Sequence, residues 1–150
     1  MFSGKPIEYQ DNPLRNDGFW PDLNLADFQN ARSIPADVAA ETAGEALLTA
    51  VAEVNNDLAS VQVKHRAAGY ATAGDVPGVS MEGITQLEAQ YKKAVYARAK
   101  ADLMGEFASV GRRESHPGQE SDETRKGLLA EAAIVIRQIK GLKRATVRQV

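Results

Sequence analysis

Cysteine is missing from all 150 residues. That excludes disulfides, thiolate metal sites and cysteine nucleophiles. Histidine is scarce: His65 and His116 are the two in the chain and lie far apart, so a histidine-rich metal centre is excluded as well. No apolar run approaches the roughly 20 residues of a membrane span. Met1–Gln10 has one lysine and no apolar centre, so it does not read as a secretory signal. Aromatics make up only 6% of the chain. The motifs that carry common chemistry are missing too. Gly4-Lys5 is followed by Pro6, which can supply neither the backbone N–H nor the hydroxyl of a phosphate loop. No Gly-x-Gly-x-x-Gly, His-Glu-x-x-His or Gly-x-Ser-x-Gly occurs. Ser115 beside His116 is adjacency, not a triad. No Glu-x-x-His pair supports a di-iron bundle.

What is present is helical. The chain holds 24 alanines, the best helix former, and its length suits one domain. The expected fold is all-α, a small bundle of about four helices, one of them long. An extended N-terminal arm (1–21), a bundle core (22–141) with a mobile loop at 108–121, and a basic C-terminal tail (142–150) complete it.

The arm is punctuated by Pro6, Pro13, Gly18 and Pro21, yet it carries Phe2, Tyr9, Phe19 and Trp20. A disordered linker is poorer in aromatics. These rings therefore need a surface, on their own domain or on a partner. Asn24 caps a first short helix whose Leu25, Phe28 and Ala31 follow helical spacing. Leu47, Val51, Val54, Leu58, Val61 and His65 step by four and three, which predicts one long helix running to about Ala68 and stopped at Gly69. Glu53 and Asp57 share a face of it and repel weakly. His65 reads as a partly buried residue at the bundle's edge.

A third helix is expected from about Met81–Thr85 to Phe107, with Ile84, Leu87, Tyr91, Val95, Leu103 and Phe107 as its stripe. Lys92, Lys93, Arg98 and Lys100 alternate with that stripe and read as a solvated face. A fourth helix buries Leu128, Ala132, Val135, Ile136 and Ile139 and closes at Gly141. The net charge of −2 hides an asymmetry: Thr124–Val150 has seven basic residues and one acid, leaving −8 on the other 123. Such a stretch meets something acidic, nucleic acid or protein.

Five stretches read as a set: Gly18-Phe-Trp-Pro-Asp-Leu-Asn-Leu-Ala-Asp-Phe28, Ala52-Glu-Val-Asn-Asn-Asp-Leu-Ala59, Ala68-Gly-Tyr-Ala-Thr72, Tyr91-Lys-Lys-Ala-Val-Tyr-Ala-Arg-Ala-Lys-Ala101 and Gly141-Leu-Lys-Arg-Ala-Thr-Val147. Over Gly18–Val150 they resemble the head-completion protein L (GPL) family of temperate phages with contractile tails. The family often has Arg-Pro where this chain has Leu142-Lys143.

The resemblance implies a structural virion protein with no enzyme activity and no cofactor. Such a protein is similar to head–tail connector adaptors, which join the head after DNA packaging as a ring, usually of twelve copies, beneath the portal. The implied partners are the portal protein, neighbouring copies, the next neck or tail-terminator protein, and DNA passing without sequence specificity; no membrane is implied. The implied location is the head–tail junction of the virion, and the host cytoplasm during assembly.

On this reading the tail residues Lys143, Arg144, Thr146, Val147, Arg148 and Val150 add a strand to the portal. Phe19 and Trp20 pack on an adjacent subunit or the portal. Arg112, Arg113 and His116 sit on a loop towards the channel or the next ring. The alternative is a small DNA-binding helical protein using the basic C-terminal segment, although that segment has no aromatic ring for stacking on single strands.

Overall fold

The computed structural model describes residues 11–110 and 118–142, with side chains over 11–105 and 124–142. The described part is mostly helical, with five helices and two small antiparallel sheets. This refines the all-α expectation of about four helices.

The chain enters on β1 (Pro13–Leu14), which pairs with β2 (Leu23–Asn24), Leu14 opposite Leu23. β2 runs into α1 (Leu25–Ala31). Asn24 caps α1 as its sequence predicts, its side-chain oxygen accepting from Ala26 N at 2.9 Å.

The expected long helix is two: α2 (Ala40–Asp57) and α3 (Ala59–Ala67), broken at Leu58. Asn55, Asn56 and Asp57 precede the break, and such residues favour alternatives to the helical backbone. The apolar stripe survives, with Leu47, Val51, Val54, Leu58 and Val61 all buried. Leu58 carries it across the bend.

Between α3 and the next helix, the expected loop contains a 3-10 turn (Ala73–Asp75) and a hairpin of β3 (Ser80–Met81) and β4 (Ile84–Thr85). Its turn, Glu82-Gly83, has φ of 51° and 79°. Positive φ at both central residues is the two-residue hairpin geometry that matches strand twist. Ile84 is therefore a hairpin residue, 43% exposed, and not part of a helical stripe.

α4 (Gln86–Val110) starts after Thr85. Thr85 and Glu88 form a reciprocal cap: the Thr85 hydroxyl accepts from Glu88 N at 3.3 Å, and Glu88 Oε1 accepts from Thr85 N at 3.1 Å. α5 (Gly118–Ile139) returns along α4. Both helices reach into the expected loop at 108–121, and residues 111–117 lie outside the described residues.

α4 is the central helix. Tyr91, Ala94, Val95, Tyr96, Ala97, Ala99, Ala101 and Leu103 are all buried, so its apolar surface wraps around more than one face. α2 packs on it, and so does α5, whose Leu128 and Ala132 meet Ala97 and Ala101. Burying the Tyr96 hydroxyl pushes its pKa up to about 12, Asp27 adding to the shift. Lys92, Lys93, Arg98 and Lys100 are not a uniformly solvated face. Lys100 donates to Arg32 O at 2.8 Å and Arg98 to Asp57 at 3.1 Å.

One ion pair ties α1 to α5. Arg32 grips Glu131 with two hydrogen bonds, 2.8 and 3.1 Å, and both side chains are half-buried. The hydrogen bonds from Arg32 hold the Glu131 carboxyl below its usual 4.5, against the opposing effect of burial. A depressed carboxyl pKa adds stability above the unfolded value, and that stability disappears as pH falls through the folded value. Glu131→Gln is therefore expected to lower stability by about 1 kcal/mol at neutral pH. The gap to the parent should close below about pH 4.5, as urea midpoints across that range will show.

Candidate functional site

The aromatic segment of the arm belongs to its own core. Phe19 is 1% exposed and Trp20 2%. Trp20 stacks on Tyr91 with centroids 4.7 Å apart and meets Phe19 edge-on at 4.9 Å. Phe19 in turn lies parallel to His65 at 6.3 Å, with the Arg66 guanidinium 5.7 Å over its ring. Both rings are covered by the chain's own residues, so of the two surfaces the arm's rings could need, their own domain supplies one.

Polar side chains close the same corner. Asn16 donates to Tyr91 Oη and to Pro21 O, each at 2.9 Å, and accepts from Asn55 at 2.9 Å. Tyr91 donates to Asn55 Oδ1 at 2.5 Å. Burial drives the Tyr91 pKa far up, so its hydroxyl keeps its proton. His65 sits half-buried as expected. Its pKa is lowered, first by burial and then by Lys64.

A cleft of about 460 Å³ opens between the C-terminal half of α2, the middle of α4 and the start of α5. Glu53, Asp57, Arg98, Asp102 and Arg125 line it, with Leu129 at its edge. Arg98 bridges the two α2 carboxylates that line the cleft, 3.1 Å from Asp57 and 3.6 Å from Glu53. This guanidinium offsets the repulsion that the Glu53–Asp57 spacing implies. Glu53 and Asp57 share Arg98 as their cationic partner, so the cleft works as an ionic clamp between α2 and α4. Among the described residues no group of three His, Asp or Glu is arranged to hold a metal ion. Among them, too, no helix is long and apolar enough to cross a membrane.

The features the sequence reading missed lie on the outside. Val79 and Met81 on the hairpin are 76% and 78% exposed, and Leu48 on α2 is 58% exposed. The glycine of Met81-Glu82-Gly83-Ile84 was the available signal for the hairpin. Leu48 stands just off the buried stripe, beside Leu47. The tail residues Lys143, Arg144, Thr146, Val147, Arg148 and Val150 lie outside the described residues, as do the loop residues Arg112, Arg113 and His116.

Apolar side chains exposed on the hairpin and on α2 are the kind of surface by which a protein meets another molecule. Comparison with known proteins gives the particular family. The model of the phage head completion protein (GPL) family matches residues 14–150, and the chain belongs to that family. It is 37% identical over 147 residues to a "Probable head completion/stabilization protein" of Haemophilus phage HP1 (strain HP1c1), covering 98% of each chain. It is 28% identical over 97 residues to the "Head completion/stabilization protein" of Escherichia phage P2, covering 65% of this chain and 57% of that one. No solved structure matches.

Proposed function

We propose that this protein completes and stabilises the phage head as a connector adaptor. It joins the DNA-filled head, forms a ring of its own copies beneath the portal, and offers the next neck or tail component its docking surface. The observation that carries this reading is the family match over 14–150, together with full-length similarity to the head completion/stabilization protein of phage HP1.

The chemistry of the chain supports it. The cleft of α2, α4 and α5 is an internal ionic clamp, and the outward-facing features are apolar side chains on the hairpin and α2. The basic segment from Lys143 to Val150 supplies a strand for the portal's sheet edge, with main-chain hydrogen bonds for affinity. The excess of acid in the rest of the chain keeps the channel from gripping DNA, since cationic contacts to phosphate are what make DNA stick.

Size exclusion with light scattering tests it, on the protein alone and mixed with the portal ring of the same genome. The expected species has the mass of one portal ring plus about one copy of this chain per portal subunit. Two separate peaks at every mixing ratio would remove the connector reading.

A further inference from the structure

An apolar knob and an apolar groove stand at separate places on this chain. The knob is the β3–β4 hairpin. Val79 and Met81 are two residues apart, and Met81 pairs across with Ile84, so all three share one face. That face is exposed. The hairpin is held rigidly beneath, Gln86 N donating to Val79 O at 2.8 Å and the Thr85 hydroxyl to Ala73 O at 3.3 Å. At its tip stands Glu82, in a left-handed conformation that favours Asn or Gly. The turn itself gives no reason for a carboxylate there, and Glu82 makes no ion pair among the described residues.

The groove, about 230 Å³, lies where β1 and the start of α1 meet the first half of α2. Leu14, Leu47 and Leu48 wall it, and Arg15 stands at its rim without an ion pair among the described residues. Gly44 lines it as well. A side chain at Gly44 would meet nothing within 4 Å, so no neighbour among the described residues requires a glycine there. A glycine inside a helix weakens it, and here it leaves room for something that arrives from outside.

The hairpin does not reach its own groove. It precedes α4, whose Tyr91 bonds to Asn55 near the far end of α2. From Gly44 to Asn55 α2 rises about 16 Å. Knob and groove thus lie towards opposite ends of α2. An apolar face tipped by an acid complements an apolar groove rimmed by a base, on a different part of the same surface. A contact between them would be head-to-tail, the kind that gives a ring where the rotation between copies closes.

We infer that the β3–β4 hairpin of one copy seats in the Leu14–Leu48 groove of the next copy, with Glu82 pairing to Arg15. The occupant is a second copy of this chain. The inference rests on the connector reading for the setting in which copies meet.

The absence of cysteine makes the test clean. Leu48→Cys and Met81→Cys are introduced together, both at exposed sites. The variant is supplied during assembly to a phage lacking this gene, and DNA-filled heads are isolated and oxidised. The expected result is a ladder of covalent multimers reaching beyond the dimer on a non-reducing gel. Either single variant alone should give no cross-link, and Glu82→Arg in the double-cysteine chain should cut the ladder at least tenfold, with Arg15→Glu restoring it.

A cross-link from a single variant means a self-complementary contact and overturns the inference. So does the chain being present in filled heads with no ladder, which leaves the connector reading standing. Wild-type chain missing from filled heads overturns the connector reading and the contact with it.

Discussion

Trp20→Ala is expected to destabilise the protein by about 3–5 kcal/mol, the range for deleting a large aromatic from a packed core. Small domains have only about 5–15 kcal/mol in total. The variant should therefore lose much of its folded population near body temperature. The reason lies in what Trp20 joins: it is 2% exposed, stacks on Tyr91 of α4, and lies edge-on to Phe19, which reaches His65 of α3. The same corner holds the Asn16–Tyr91–Asn55 hydrogen bonds, which depend on Tyr91 keeping its position. Trp20→Phe keeps a ring in the stack and should lose well under half as much. Helical circular dichroism in urea reads both, since Trp20 is the one tryptophan of the chain and its fluorescence goes with it. A Trp20→Ala loss below 1 kcal/mol would mean that the ring serves a partner rather than the core.

Legibility of the fold followed the length of each apolar pattern. The stripe Leu47–Val61 and the face Leu128–Ile139 each run for several turns, and both pack into the core, Ile139 half-buried at its edge. Asn24 caps α1, and Gly69 and Gly141 follow α3 and α5 with φ of 98° and 73°. The break at Leu58 was hidden because the stripe passes through it unbroken: burial, not backbone geometry, sets the apolar pattern. The two sheets were hidden because strands of two residues have no period to read. α4 was legible as a helix but not as the central one, because small alanines at 94, 97, 99 and 101 look neutral until α2 and α5 close over them. Phe19 and Trp20 signalled a need for cover without naming the surface. The groove draws on Leu14, Leu25, Gly44 and Leu48, from three elements that only folding brings together. No spacing along the chain encodes it.

Removing Lys143–Val150 should abolish co-elution with the portal ring and leave the urea midpoint within about 0.5 kcal/mol of the parent, the usual range for changes away from packed sites. Among the described residues the last apolar side chain packed on the core is Ile139, and Leu142 is 51% exposed. Two finer variants separate the roles of charge and backbone. Thr146→Pro retains all the charge of the tail but removes a main-chain donor and fixes φ, which a strand in a sheet ladder does not tolerate. It should behave like the deletion. Lys143→Ala with Arg144→Ala keeps the donors and should weaken binding mainly at low salt, through slower encounter. If the segment instead met nucleic acid, the order would reverse. Binding would then fall steeply with salt, by about 0.9 in log affinity per log salt for each phosphate neutralised, and the double alanine variant would hurt more than proline. The comparison of these two variants therefore tells a β-strand partner from a phosphate partner in a single titration series.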